Sequence, residues 1–240
     1  MKAAITAAPF AIQTAVQTAI QASVQGRFNK MEKKRILCFG DSNTWGYNAE
    51  DGSRFSEDVR WTGRLAKLLG PEYTVIEEGQ NGRTTVWDDP VENRLAGLTY
   101  LWPCMESHYP FDLIIIMLGT NDLKRYFGLT AKNIADGAGR LVHLAQMSAF
   151  GRDGRPPKVL LTAPIRMRYW EGFGYMFDPA AEKNSQGFAA EFAAIAENMG
   201  CEFIAAALYA GPGPVDGLHL DEAGHAALAE AFCRKIREIL

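Results

Sequence analysis

The sequence predicts an α/β domain, a three-layer α/β/α sandwich around a five-stranded parallel sheet. Three observations predict it. From Met31 to the C-terminus, short apolar runs alternate with stretches of helical period. One run, Asp112–Leu118 (DLIIIML), is almost wholly apolar, as a central parallel strand covered on both faces must be. Polar segments follow the apolar runs, and ligands bind beyond the carboxyl ends of strands in such sheets.

The elements follow in order. Arg35–Phe39 reads as the first strand. Trp61, Leu65, Leu68 and Leu69 recur at helical spacing and predict a helix over Trp61–Leu69. Tyr73–Glu77 is the second strand, and His108 closes a helix before Pro110. Asp112–Leu118 is the third strand, followed by a helix over Asn133–Phe150. Lys158–Ala163 is the fourth strand, stopped by Pro164. Phe188, Phe192, Ile195 and Met199 share one face of a helix that starts at Ala180 and runs to about Asn198. Glu202–Ala206 is a short fifth strand, and Ala223–Ile239 is the final helix. Right-handed crossovers restrict the topology, and the strand order 2-1-3-4-5 is expected.

The chain has 240 residues, enough for one such domain with a sizeable core. Hydrophobic residues make up 48% and charged residues 22%, which fits a soluble globular protein. The net charge of −3 and the lack of a dense basic patch argue against nucleic acid as a partner. No apolar run is long enough to span a bilayer, so no membrane partner is expected. Cysteines stand at 38, 104, 201 and 233 without a CxxC pair or Cys/His cluster, so no metal site is expected and the thiols read as buried and reduced.

Residues 1–30 differ from the rest and contain no Asp or Glu. Ala11–Gln25 (AIQTAVQTAIQASVQ) repeats every four residues and fits either a helical face or an alternating strand. As a signal peptide the segment is weak, because Gln and Thr interrupt its apolar region. Met31 offers an alternative start. Residues 1–30 are therefore read as an appendage to a catalytic domain over 31–240, and a cytoplasmic location is expected.

Chemistry is sought in the loops. A serine attacks a carbonyl only if a base takes its proton and an acid orients that base. Of seven serines, only Ser42 directly follows a confident core strand, in GDSN. The alternative reading of GDSN is a strand-to-helix turn capped by Asp41 and Ser42. Thr44 stands where a G-x-S-x-G elbow would need glycine. Among His108, His143, His219 and His225, only His219 lies on a loop at the expected site edge, with Asp216 three residues before it. A DxxH spacing alone also describes many surface pairs. An oxyanion needs donors: the Asn121 amide in GTND, a Gly82 N–H exposed by the missing side chain, and the Ser42 N–H are candidates. Asp122 is read as tying its loop together.

Together these blocks carry a resemblance. GDSN with Ser42, the Gly-Arg-Thr segment at Gly82, GTND with Asn121, and Asp216-Gly-Leu-His219 resemble, in order, the signature blocks of the SGNH (GDSL-like) hydrolases. The longer stretches LCFGDSNTWGY, DVRWTGRLAKLLG, VIEEGQNGRTT and LIIIMLGTNDLK are similar to the bacterial arylesterase/acyltransferase branch, which includes perhydrolases and carbohydrate-acetylesterase relatives. The resemblance spans about Arg35 to Leu240. It implies a flavodoxin-like fold, Ser42 as nucleophile, His219 as base and Asp216 as its partner. It further implies Ser42 N–H, Gly82 N–H and the Asn121 side chain as the oxyanion hole, with no metal or organic cofactor. Position 43 is Asn where members often have Leu, and position 82 is Gly where some arylesterases have Ala.

The resemblance implies hydrolysis of short-chain and aryl esters through an acyl-serine, with transfer to alcohols or peroxide. The alternative within enzymes is a carbohydrate O-acetylesterase. A non-catalytic module keeping the fold would not need every candidate residue to be present. Asp41, Asn43, Trp45 and Trp170 are candidates for the substrate pocket, with Trp170 in the aromatic loop Arg166–Asp178. Trp170, Phe173, Tyr175 and Phe177 fit a pocket wall and a subunit interface equally well. The resembled branch forms homo-oligomers, and one is expected here.

Overall fold

The computed structural model describes residues 32–240, so the expected appendage and its repeat lie outside the described residues. Five strands form the sheet: β1 (Lys34–Gly40), β2 (Tyr73–Gly79), β3 (Leu113–Met117), β4 (Lys158–Ala163) and β5 (Glu202–Ala205). All pair in parallel, in the order β2-β1-β3-β4-β5 that the sequence predicts.

Alternation along the strands divides the core in two. Leu37 and Phe39 of β1, with Ile114 and Ile116 of β3, face one side. Ile36 and Cys38, with Leu113, Ile115 and Met117, face the other. Every residue of β3 is buried, which is why that segment reads as continuously apolar rather than alternating.

The chain leaves β1 through a single helical turn, α1 (Ser42–Trp45), and then α2 (Trp61–Leu69). The other helices are α3 (Gly97–His108), α4 (Ala131–Gln146), α5 (Pro179–Met199) and α6 (Glu222–Ile239). Leu101, Met105, Ile134, Leu141, Phe188 and Phe192 bring α3, α4 and α5 onto the first core. Trp61, Leu65, Leu228, Phe232 and Ile236 bring α2 and α6 onto the second. Each such side chain contributes about 1.5–3 kcal/mol on leaving water.

Helix ends follow local chemistry. Asp178 caps α5 by accepting from the Ala180 and Ala181 N–H groups, with Pro179 in the first turn. Asp221 caps α6 by accepting from Gly224 N–H at 2.8 Å. The helix expected over Asn133–Phe150 stops at Gln146. Ser148 bonds back to the Ala145 carbonyl through its N–H and its hydroxyl, and the chain then turns so that the Phe150 carbonyl accepts from Phe111 N–H. No helix among the described residues is long and apolar enough to cross a membrane.

Gly40 ends β1 for a steric reason. A Cβ there would lie 2.1 Å from Thr44 Oγ1 and 2.9 Å from the Met117 carbonyl oxygen. Turn α1 therefore packs directly onto the strand end and places Ser42 at the carboxyl edge of the sheet.

His225, in the first turns of α6, is a core residue. Its Nδ1 accepts from Trp61 N–H at 3.2 Å, and its ring meets Phe55 edge-on at 5.4 Å. Burial pushes the imidazole down from 6.5 to about 4, against the opposing charge of Asp221. A folded-state value below the unfolded one means that its stability contribution is whole above pH 6.5 and is lost as pH falls towards 4. His225→Asn keeps an acceptor and removes the titration. Denaturant unfolding across that interval is expected to show a shallower loss of stability, by on the order of 3 kcal/mol; an unchanged slope would contradict the assignment.

Candidate active site

Turn α1 presents Ser42. Asp41 Oδ1 accepts from Asn43 N–H at 3.0 Å, and the Asp41 carbonyl accepts from the N–H groups of Thr44 and Trp45. Asp41 is 1% exposed. Burial lifts its carboxyl to about 6, against the Asn43 N–H and the charges of His219 and Arg83. It is the cap of the turn and lies beneath the surface.

Asp216 and His219 arrive on the loop before α6. Asp216 Oδ1 accepts from the N–H groups of Leu218 and His219, at 2.9 and 3.0 Å. Its Oδ2 lies 2.6 Å from His219 Nδ1, and His219 Nε2 lies 2.8 Å from Ser42 Oγ. A carboxylate only accepts, so Nδ1 carries the proton and Nε2 accepts from the Ser42 hydroxyl. Burial would raise the Asp216 carboxyl. The bond from His219 and the two backbone N–H groups outweigh it and hold the carboxyl below its usual range. The Tyr47 ring stands 4.4 Å from the imidazole.

Gly82 and Asn121 reach the same edge from beyond β2 and β3. Gly82 has φ +78°, a conformation that strains other residues, and a Cβ there would meet Arg94 and Glu92 at 3.2–3.3 Å. Among the described residues, neither Ser42 N–H nor Gly82 N–H has an acceptor. Asn121 Nδ2 gives one hydrogen to the Arg83 carbonyl at 3.2 Å and keeps the other.

Buried side-chain ties lace these two segments together. Besides the Asn121–Arg83 bond, Asp122 accepts from the N–H and hydroxyl of Thr85, and Lys124 Nζ pairs with Asp89 at 2.7 Å, both buried. Burial lifts Asp122 to about 6 in spite of the Thr85 bonds. Arg83, 2% exposed, donates to the carbonyls of Gly40 and Glu78 and stacks on Phe39 at 4.3 Å. It fastens the end of β1 to the segment that carries Gly82.

Ser42, Gly82, Asn121 and His219 line one open cleft of about 300 Å³. Tyr47, Phe173, Tyr175 and Phe177 form an aromatic wall, and Glu92, Arg94 and Lys124 a charged one. Tyr47 follows α1, and Phe173, Tyr175 and Phe177 come from the loop after β4, held by Arg168 N–H on the Gly217 carbonyl at 2.7 Å.

Four residues expected near the pocket stand elsewhere. Asp41 is buried under the turn. Asn43 points behind His219 and bonds its loop. Trp45 packs beside Tyr47 and under Arg54. Trp170, 47% exposed, contacts the cleft only through Phe173, whose ring it meets edge-on at 5.3 Å. In both cases a nearby aromatic, Tyr47 or Phe173, takes the wall position instead. Glu92, Arg94 and Lys124 escaped the sequence reading. Their one signal is a lysine immediately after the buried GTNDL segment.

Away from the cleft, Glu78, Cys104 and His108 bring potential ligand atoms within 4.8 Å of one another, a grouping the cysteine spacing does not announce. His108 Nε2 bonds Glu78 at 2.7 Å. Burial and the Glu78 charge push the Cys104 thiol up to about 12, against the nearby Arg83 guanidinium.

A model of the GDSL-like lipase/acylhydrolase family matches residues 38–227. The chain belongs to this family. Among solved structures, the native M. smegmatis aryl esterase is 43% identical, with TM-score 0.81, over 86% of this chain and 100% of the other. Est24, a carbohydrate acetylesterase from Sinorhizobium meliloti, is 39% identical, with TM-score 0.82, over 87% and 100%. A putative arylesterase from Agrobacterium tumefaciens str. C58 is 34% identical, with TM-score 0.79, over 86% and 100%. A search of curated proteins gives no match. The family match begins within β1 and ends within α6, so it takes in Ser42, Gly82, Asn121, Asp216 and His219.

Proposed function

We propose that the protein is a serine esterase acting on small short-chain and aryl esters through an acyl-Ser42 intermediate. The unbroken hydrogen-bond line Asp216–His219–Ser42, ending at an open cleft, carries the reading. Ser42 Oγ attacks the ester carbonyl while His219 Nε2 takes its proton, and Asp216 stabilises the imidazolium. The carbonyl oxygen becomes an oxyanion facing the N–H groups of Ser42 and Gly82 and the free hydrogen of the Asn121 amide. The alcohol leaves with the proton from His219. Water then attacks the acyl-enzyme, His219 taking its proton and returning one to Ser42. An alcohol in place of water gives a new ester, and hydrogen peroxide gives a peracid.

The cleft volume lies at the small end of ligand sites and suits short acyl groups. A sugar acetate is the second reading, favoured by the charged wall, where Glu92 and Arg94 offer partners to hydroxyl groups while Lys124 is held by Asp89 and Glu92. The likeness to both an aryl esterase and a carbohydrate acetylesterase supports the two together. Turnover of an aryl acetate beside an acetylated xylo-oligosaccharide separates them, and a much faster sugar ester would reverse the order. Self-association belongs to the proposal too: Tyr175 at the cleft and Trp170 packed on Phe173, 69% and 47% exposed, fit a subunit contact.

A fluorophosphonate tests the nucleophile. It is expected to label the wild-type protein once, at Ser42, and to leave Ser42→Ala unlabelled; full labelling of that variant would refute the assignment. Asn121→Ala removes one oxyanion donor. Its kcat is expected to fall about 10²–10³-fold with KM little changed, and a near-normal kcat would remove Asn121 from the oxyanion hole.

A further inference from the structure

The residue after the proposed nucleophile spends both of its polar atoms on the loop that carries the proposed base. Asn43 is 4% exposed and sits on turn α1. Its Oδ1 accepts from Leu220 N–H at 2.9 Å, and its Nδ2 donates to the Leu218 carbonyl at 3.3 Å. The two bonds fall on the residues either side of His219, far away in sequence.

We propose that Asn43 is a positioning residue that clamps the His219 loop to the nucleophile turn and so fixes the Ser42–His219 geometry. The inference rests on the triad reading above. Asp216 Oδ1 satisfies the Leu218 and His219 N–H groups, and Gly213 N–H donates to the His219 carbonyl. What remains of the loop's buried backbone around the imidazole is the Leu218 carbonyl and the Leu220 N–H, and Asn43 takes both. Asp41, bonded to Asn43 N–H, holds the clamp in the same turn as Ser42. Asp216 therefore fixes the tautomer and tilt of the ring, while Asn43 fixes the distance between the two segments. A side chain without a donor and an acceptor leaves both backbone groups buried and unpaired, and the loop must shift to find partners. A displacement near 1 Å at a reacting group lowers rate by up to about 10²-fold.

Asn43→Leu removes both bonds at similar volume, and Asn43→Asp keeps the acceptor and loses the donor. With an aryl acetate, Asn43→Leu is expected to lower kcat roughly 10–10²-fold with KM within about twofold, and fluorophosphonate labelling to slow in step. Asn43→Asp should fall between it and wild type, and it decides the matter alone if the leucine variant does not fold. Where both actions pass through His219, Asn43→Leu should cost less than about threefold in an Asp216→Asn background. A lower melting temperature with full kcat per folded molecule would overturn the proposal. So would a raised KM at unchanged kcat, or an undiminished loss in the Asp216→Asn background. Ser42→Ala separates the two readings: an active Ser42→Ala defeats the triad itself, whereas an inactive one beside a normal Asn43→Leu defeats only the clamp.

Discussion

Ser42→Ala is expected to reduce kcat by roughly 10⁶-fold, the scale on which a serine hydrolase loses its nucleophile, with little change in fold. The two effects separate because turn α1 does not depend on the Ser42 side chain. Asp41 caps the turn through its carboxylate, and the Ser42 carbonyl accepts from Gly46 N–H. The Ser42 hydroxyl has one partner, His219 Nε2. Removing it leaves the three proposed oxyanion donors and the cleft intact, so a residual rate about 10³–10⁴-fold above water should persist through binding and electrostatics alone. Steady-state turnover of an aryl acetate, checked against contaminating esterase by the absence of fluorophosphonate labelling, measures this. A variant within tenfold of wild type would show that another group attacks the ester.

The sheet was legible because its physics is local. A strand covered on both faces has no polar side to show, and Asp112–Leu118 shows almost none. Right-handed crossovers restrict the strand order, and the expected 2-1-3-4-5 is the order observed. Helix α3 was legible only at His108. It opens at Gly97 and contains Pro103, both poor helix residues, and its helicity comes from packing Leu101 and Met105 into the core. The proposed reacting groups share one cleft because each stands on a loop at the sheet's carboxyl edge, where the topology brings those loops together. The pocket walls were legible in part: Phe173, Tyr175 and Phe177 of the aromatic loop line the cleft, and Trp170 does not. Tyr47 rather than Trp45 faces the imidazole because α1 ends at Gly46 and the chain reverses there, with φ +88°. Asn43 reads as a pocket candidate in the sequence because its partners, Leu218 and Leu220, are joined to it by tertiary structure only. Lys124 and Asp89 are likewise a buried pair whose letters, read singly, look like surface charge.

Asp216→Asn is expected to lower kcat about 10⁴-fold while leaving the loop folded. The side-chain oxygen of asparagine can still accept from the Leu218 and His219 N–H groups, as Asp216 Oδ1 does. Its amide nitrogen then replaces Oδ2 opposite His219 Nδ1, and two donors face each other across 2.6 Å. The imidazole escapes by moving its proton to Nε2, the atom that faces Ser42. In that tautomer it cannot take the serine proton, and the imidazolium that forms during attack has lost its counter-charge. KM for an aryl acetate should change little, because Asp216 does not line the cleft. The loss should also vanish once Ser42 is gone: Asp216 acts on the ester only through His219 and His219 only through the serine proton. Ser42→Ala/Asp216→Asn should therefore be no slower than Ser42→Ala alone. A further large fall in the double variant would mean that the carboxylate stabilises the transition state directly, and the chain of three groups would not act as one unit.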